Sequence, residues 1–451
     1  MLDIAFIRNN PDLVKASIKK RSSGSSKSVD KLLDLDKDIR LKITKIEKFQ
    51  QERNKISSTG QKPSEEDIVK VKNLKSQIAS LEKEKKTQQQ VFQALLDYIP
   101  NIPRDDTPNG NSEEQNLDIY AWTPEHGEIS TNKLNAPGAS LKYMPTTPPH
   151  TNDNFTMRDH VEIGKILNII DVKQSAKVSG SRFCYLLNDA VLLQYSLFEL
   201  LKNKLIKEGF IPMVPPLLVK ERSLYGTSHF PADKEQIYKI DTSNVEENTR
   251  LYLVGSSEPS LFSYYMDKTV EVKDLPIKMF AYTSCFRSEV GSWGTDVRGI
   301  KRVHQFDKLE MDVICHPTES EEMAEEYLLG INKWLFRSLE IPFRIVRKCY
   351  GDMGYLASHT QWDPESWLPS QNKFMEVGTS TNTTDYQARR LNIKFRNANG
   401  TKQFVHTCND TGVAIGRTII SIIDNYQQKD GSVKIPKILQ EYMGKDVIKP
   451  S

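Results

Sequence analysis

The sequence predicts an α+β fold: an antiparallel sheet flanked by helices, preceded by an antiparallel two-helix coiled-coil arm. Two observations point there. Near the N-terminus, apolar residues step by threes and fours along two stretches separated by one short break. Farther on, apolar runs at Leu251 to Val254, Ile277 to Tyr282, Lys308 to Ile314 and Phe343 to Val346 are joined mostly by loops rather than by regular helical crossovers. That connectivity favours an antiparallel core over a doubly wound sheet.

At 451 residues the chain is long enough for one large core and an accessory domain. Its 62 Lys and Arg nearly balance 59 Asp and Glu, leaving +3, so any site for a polyanion must be local. The cysteines Cys184, Cys285, Cys315, Cys349 and Cys408 show no paired spacing, which argues against a zinc knuckle or disulfide framework and fits a reducing compartment. The start Met1-Leu2-Asp3-Ile4-Ala5-Phe6 has no secretory apolar core, and no apolar run approaches the roughly 20 residues that span a bilayer. The expectation is a soluble protein of the cytoplasm, with an organellar copy left open and no membrane partner.

Residues 1–21 predict a short helix whose start is set by Asn10-Pro11. After a Ser-rich break from Ser22 to Ser28, Leu32, Leu35, Ile39, Ile43, Ile46, Phe49 and Ile56 form one seam. Gly60 and Pro63 interrupt it, Ser64 followed by acids restarts a helix, and Val71, Leu74, Ile78, Leu81, Lys85, Gln88, Phe92 and Leu95 form a second seam. Two seams joined by one turn describe a hairpin of helices about 30 residues each, on the order of 45 Å long. Lysines and arginines such as Lys37, Arg40, Lys45, Lys72 and Lys83 interleave with acids on its outer faces. Taken alone, they are the solvated decoration of a coiled coil; on a nucleic-acid binder they would follow an RNA backbone.

Ile99-Pro100-Asn101-Ile102-Pro103 ends the arm, because proline cannot continue a helix. The Pro-, Asn-, Thr- and Gly-rich stretch from 104 to about Pro149 predicts a linker with little core of its own. Ala190 to Glu208 reads as a Leu-rich amphipathic helix, with Gly209 to Pro216 ending it and opening a strand. A further strand is expected near Ile237, and helices at Glu319 to Ser338 and Gly416 to Asn425.

The stretch around which the chain is organised runs from Cys285 to Glu310. An apolar strand delivers Arg287 and Glu289, two residues apart and so expected on one face. A loop with Gly291, Gly294 and Gly299 carries Arg298, Lys301 and Arg302, and a returning strand would bring Phe306 and Glu310 onto the same face. This is a plausible nucleotide site without a Walker-type loop: a guanidinium for a phosphate, an aromatic face for a base, carboxylates for amines. A metal hydrolase is disfavoured, since the 8 histidines show no His-x-x-His spacing. Cys285 lies in an apolar strand with no local histidine, which disfavours a catalytic cysteine.

Phe286-Arg287-Ser288-Glu289, the long loop and His304-Gln305-Phe306-Asp307-Lys308-Leu309-Glu310 resemble the second signature motif of class II aminoacyl-tRNA synthetases, in the form found in the seryl-tRNA synthetase family. The helix from Ala190 with its terminal prolines resembles the first motif, a dimer interface. His406 to Thr418 resembles the third, described as a strand, a Gly-bearing turn and a helix beginning near Arg417. Ser256-Ser257-Glu258 stands where the family has Thr-Ala-Glu, and Glu376-Val377-Gly378-Thr379-Ser380-Thr381-Asn382 where it has Glu-Ile-Ser-Ser-Cys-Ser-Asn. The similarity runs from the first helix to Tyr442-Met443-Gly444.

The resemblance implies residues 1–103 as a tRNA-binding domain with the helical arm, 104–160 as a linker and lead-in, and 161–451 as the catalytic domain. It implies activation of L-serine by ATP and transfer to the 3′-terminal ribose of tRNA(Ser), with tRNA(Sec) as an additional acceptor, by a homodimer. Catalytic roles would fall to Arg287, Glu376 and Arg417. Serine contacts would come from Ser256, Ser257, Glu258, Glu310 and Thr411. ATP contacts would come from Arg287, Ser288, Glu289, Val303, Phe306, Glu376, Val377, Gly378, Thr379 and Arg417, with Mg²⁺ held through Glu376 and no zinc. The departures at Ser256, Gly378 and Asp410 keep open a paralogue that serves a non-tRNA acceptor; a non-catalytic RNA-binding dimer is the other alternative. A buried Glu310 needs a partner, either the substrate ammonium or an internal cation.

Overall fold

A computed structural model describes residues 1–21, 26–58, 64–129, 131–151, 155–241, 250–290 and 298–450. The chain divides into two compact units, Met1–Ile102 and Pro103–Ser451. The helix break after Arg21, the arm's turn with Gly60 and Pro63, and Gly291 and Gly294 lie outside the described residues.

In the first unit the expected single short helix is two, α1 (Ile4–Asn9) and α2 (Pro11–Lys20), because Pro11 starts a new helix at its first position. The arm follows as α3 (Ser26–Ser57) and α4 (Glu65–Asp97). Ser64 opens α4 with a capping box: its hydroxyl accepts from Asp67 N at 3.1 Å while Asp67 Oδ2 accepts from Ser64 N at 3.2 Å. Val29, Leu32, Ile39 and Ile46 of α3 and Leu74, Ile78 and Leu96 of α4 are buried. Lys42 pairs with Glu84 at 3.6 Å and Glu52 with Lys70 at 2.9 Å, so numbers rise along one helix as they fall along the other, as antiparallel packing requires. Ile43, placed in the seam by spacing, is 37% exposed. Asp36 instead turns inward, where Arg8 and Arg40 neutralise it at 3.1 and 3.0 Å.

The second unit is built on a 10-stranded sheet. Its strands in chain order are β1 (Leu117–Thr123), β2 (Gly127–Ile129), β3 (Ile211–Pro212), β4 (Ile277–Phe286), β5 (Gln305–Cys315), β6 (Phe343–Arg347), β7 (Thr360–Leu368), β8 (Lys373–Glu376), β9 (Ser380–Thr384) and β10 (His406–Ala414). They lie in the order β2-β1-β6-β7-β9-β10-β5-β4-β3, with β8 added to β7. All pairings are antiparallel except β3 with β4. The expected α+β class with an antiparallel sheet is what the chain adopts.

Residues 104–160 are more than a linker. They supply β1 and β2, which pair with β6 and extend the sheet. Buried Asp118 disguises β1 in the sequence, and Arg344 compensates it at 3.0 Å. The strand expected near Ile237 is reduced to a single antiparallel bridge, Lys239 with Tyr252, flanked by Leu253 N donating to Tyr238 O at 2.9 Å and Ile240 N to Leu251 O at 3.0 Å. Ile237 follows a turn at Lys234–Gln236 and buries its side chain with Val219, Phe230, Tyr252 and Val254.

Alternation along β5 divides the sheet. Leu309, Met311 and Val313 enter the main core with helices α5 (Asp189–Lys207), α6 (Leu329–Ser338) and α7 (Ile415–Tyr426). Lys308, Glu310 and Asp312 therefore take the opposite face. On β10 the expected turn at Gly412 is a bulge within a continuing strand: Leu309 pairs with Val413 and Glu310 with Thr411. A Cβ at Gly412 would lie 2.9 Å from Leu201 and 3.0 Å from Leu309 side chains, so a larger residue there would have to displace the core leucines.

Candidate active site

A cavity of about 540 Å³ opens on the polar face of β5 and β10. It brings together Ser256, Glu258, Arg287, Glu289, Val303, Phe306, Glu310, Glu376, Val377, Gly378, Thr379, Thr411 and Arg417. Two expected members are elsewhere. Ser288 donates its hydroxyl to Glu235 O at 2.6 Å, and Ser257 is buried at the start of the short helix Glu258–Ser263 without capping it.

Arg287 and Glu289 share the cavity, but strand alternation is not the cause. β4 ends at Phe286, and Glu289 has φ +50. Arg287 Nε donates to Gly255 O at 3.2 Å, and its guanidinium lies 5.4 Å from the Phe306 ring centroid. Glu289 is 3.5 Å from Arg302. One cation and one aromatic face are thus fixed side by side.

Arg417 projects from the first turn of α7. Its Nη1 donates to the Glu376 carboxylate at 2.8 Å and to Glu376 O at 2.9 Å, and its Nε donates to Lys301 O at 3.4 Å. Desolvation at the cavity wall opposes ionisation of Glu376, but Arg417 and then Lys348 outweigh it and hold the carboxyl below its ordinary range. Behind it, burial raises Asp363 to about 7 despite Lys348 at 3.1 Å, and Thr379 donates to Asp363 at 2.8 Å. The side chain of Glu376 remains 46% exposed and is a ready oxygen ligand facing the cavity.

At the other end, the partner that Glu310 needs is internal. Lys308, two residues before it on the same face, pairs with its carboxylate and lies 3.5 Å from Thr411 Oγ1. Glu258 is buried, with Oε1 accepting from Gln387 at 2.7 Å, Tyr355 at 3.1 Å and Asn409 at 3.2 Å. Burial pushes its carboxyl up to about 7, the charge of Glu310 adds to the rise, and the Gln387 bond works against it. Ser256 Oγ lies 3.4 Å from Glu258 N.

Sequence reasoning missed Lys308, Asn409, His229 and Tyr355, all of which line the cavity. Lys308 and Asn409 stand two residues from Glu310 and Thr411 on their own strands, so period-2 alternation is the signal that finds them. His229 and Tyr355 come from irregular segments with no period to follow.

Residues 238–426 match the tRNA synthetase class II core domain (G, H, P, S and T), and residues 1–103 match the seryl-tRNA synthetase N-terminal domain. A serine--tRNA ligase of Dictyoglomus turgidum is 38% identical over 456 residues, covering 100% of both chains. The chain belongs to the seryl-tRNA synthetase family. It is a class II aminoacyl-tRNA synthetase, a serine--tRNA ligase. The seryl-tRNA synthetase of Pyrococcus horikoshii, solved with ATP, superposes with a TM-score of 0.88 at 36% identity over 100% of both chains. The cytoplasmic serine-tRNA ligase of Naegleria fowleri, solved with AMP, gives 0.82 at 28% identity, covering 98% of this chain and 96% of that one. In this synthetase the three segments that carry the resemblance, around Arg287, Glu376 and Arg417, line one cavity.

Proposed function

We propose that this synthetase activates L-serine with ATP and transfers the seryl group to the 3′-terminal ribose of tRNA(Ser). The observation that carries the proposal is one cavity lined by Arg287, Glu376 and Arg417 together with Glu258, Glu310 and Thr411. The relatives named serine--tRNA ligase and the ATP-bound Pyrococcus structure support it.

Adenylation needs no general base, because the serine carboxylate is already a nucleophile at neutral pH. Its oxygen bonds to the α-phosphorus as the bond to pyrophosphate breaks, giving seryl-adenylate. The protein contributes in-line positioning and neutralisation of phosphate charge. Arg287, fixed by Gly255 and Phe306, is placed for the phosphates, and Phe306 offers a face for the base. Arg417 approaches the same space from α7.

The charged, half-exposed Glu376 and the nearby Thr379 hydroxyl are hard oxygen donors of the kind Mg²⁺ takes alongside nucleotide phosphates and water. Magnesium arriving with ATP supplies further charge neutralisation on the triphosphate.

The Glu310, Lys308 and Thr411 group suits the substrate hydroxyl. Alanine offers these buried polar groups no hydroxyl, and a site built to hydrogen-bond a substrate hydroxyl rejects the analogue lacking it by about 10⁴-fold. The N-terminal arm is assigned to tRNA(Ser), and tRNA(Sec) is a second acceptor for the same charging assay. We assign a homodimer joined through α5, β3 and the segment after it, where Leu192, Tyr195, Ile206, Ile211 and Val214 are exposed apolar side chains. The assigned compartment is the cytoplasm; no described helix is long and apolar enough to cross a membrane.

The test is ATP–pyrophosphate exchange across the amino acids, followed by tRNA charging. Serine-dependent exchange with charging of tRNA(Ser) is expected. Exchange that depends on another amino acid, or none at all, overturns the proposal.

A further inference from the structure

We infer that His229 is a second acceptor for the α-ammonium group of the amino-acid substrate, acting as a pair with Glu258. The inference rests on the serine reading above and deepens it, since it assigns the amine end of the substrate to two particular atoms.

The hydrogen-bond pattern decides which ring nitrogen of His229 carries the proton. Thr227 Oγ1 donates its one proton to Ser223 O at 3.1 Å. The same oxygen lies 3.0 Å from His229 Nδ1, so there it accepts. The ring proton is therefore on Nδ1, and Nε2 presents a lone pair. Burial drives the His229 pKa down to about 3, and the positive charges of Arg287 and Lys308 push the same way, so the ring stays neutral and Nε2 stays an acceptor.

That lone pair faces another acceptor. Glu258 Oε2 lies 3.9 Å from His229 Nε2, too far for a direct hydrogen bond. The other carboxylate oxygen, Oε1, is engaged by Gln387, Tyr355 and Asn409. Both His229 and Glu258 line the cavity, and their side chains are nearly buried, at 13% and 7% exposure. Two buried acceptors turned toward each other suit a group with several N–H donors and a positive charge. An ammonium nitrogen about 2.9 Å from each completes that triangle, whereas a serine hydroxyl has one proton to give.

Lys308 reinforces the choice of end. It occupies the Glu310 carboxylate, so the substrate amine has its free carboxylate oxygen at Glu258 rather than at Glu310. Tyr355, whose ring centroid is 5.8 Å from that of His229, packs beside the pair.

The test is exchange kinetics on the full-length enzyme, with KM for L-serine and for ATP measured separately. His229→Ala is expected to raise the serine KM about tenfold or more, the loss of a hydrogen bond to a charged group, while the ATP KM stays within about twofold. His229→Gln, whose amide oxygen can replace Nε2, is expected to recover most of the loss. An unchanged serine KM in His229→Ala, or serine and ATP KM rising together, overturns the assignment. If His229→Ala does not fold, ¹⁵N spectra of the wild-type enzyme decide. The His229 Nε2 resonance should move on addition of L-serine and not of 3-hydroxypropionate, which keeps the carboxylate and hydroxyl but lacks the amine. No movement with serine overturns the assignment. Failure of the serine reading is separately visible as absent serine-dependent exchange in the wild-type enzyme.

Discussion

Arg417 Nη1 meets Glu376 Oε1 at 2.8 Å, which ties the first turn of α7 to the end of β8 and closes one wall of the cavity. The guanidinium keeps that carboxylate charged, as the proposed magnesium contact requires. Glu376→Gln retains the shape and removes the charge. Pyrophosphate exchange should fall on the order of 10²-fold or more, the usual effect of losing one electrostatic contact to a transition state. The thermal melt should change little, because Glu376 stands at the cavity rim. Near-normal exchange would remove Glu376 from the mechanism.

The proposed contact of Glu258 with the substrate ammonium would make serine binding depend on pH. Its carboxyl titrates near 7, raised first by burial, and only the ionised form holds a substrate ammonium well. Serine KM should therefore fall as pH rises from 6 to 8, in a range where ATP KM changes less. For the ligand-free fold the sign is opposite. Its folded pKa exceeds the ordinary glutamate value of 4.5, so its contribution to stability is complete below that value and is lost as pH rises through about 7. Glu258→Gln should weaken serine binding and flatten the serine KM profile. A profile equally steep in that variant assigns the titration to another group.

Periodic features of this protein are legible in its sequence and paired ones are not. The arm shows in the steps from Leu32 to Ile46 and from Leu74 to Ile78, because burial along one seam repeats with the helix. Arg287, Glu376 and Arg417 are found by their motifs, and the fold brings them to one cavity. Where a polar residue is neutralised by a distant partner, the pattern misleads. Asp118 hides β1 until Arg344 is seen beside it, and Asp36 replaces Ile43 in the seam because Arg8 and Arg40 reach it. Lys308 was within reach of alternation, but its pairing with Glu310 depends on side-chain reach that spacing does not contain. Ser288 lies inside the motif yet turns to Glu235, a contact made by a loop with no period.

A side chain at Gly378 would crowd one backbone atom of its neighbours. A Cβ there would lie 3.1 Å from Thr411 O and 3.4 Å from Thr411 Cβ and Asn332 Oδ1. Thr411 O belongs to β10, inside the sheet, so the strand itself would have to move. Gly378→Ala should therefore shift Thr411 and raise the serine KM several-fold. A displacement of that size in a well-packed site costs about 1–3 kcal/mol. The ATP KM should move less than the serine KM. An unaltered serine KM would mean that β10 yields at no cost to the pocket.

Asp410 lies across from Met311 on the face packed by helices and is 0% exposed. Neither of its carboxyl oxygens has a full hydrogen bond among the described residues, although Asn332 and Ser380 are its near neighbours. Burial, followed by the negative charge of Glu310, raises its pKa well above 3.8. A folded pKa above the unfolded one means stability is complete below the unfolded value and declines as pH rises toward the folded one. Over that window the decline is at most about 1.4 kcal/mol per pH unit. Asp410→Asn keeps the size and cannot ionise. Its thermal melt should exceed that of the wild type at pH 8.5, and the gap should narrow toward pH 5. A variant that melts lower at pH 8.5 would show that the carboxylate is ionised and stabilising there, with the positive charge of Lys308 outweighing burial and the charge of Glu310.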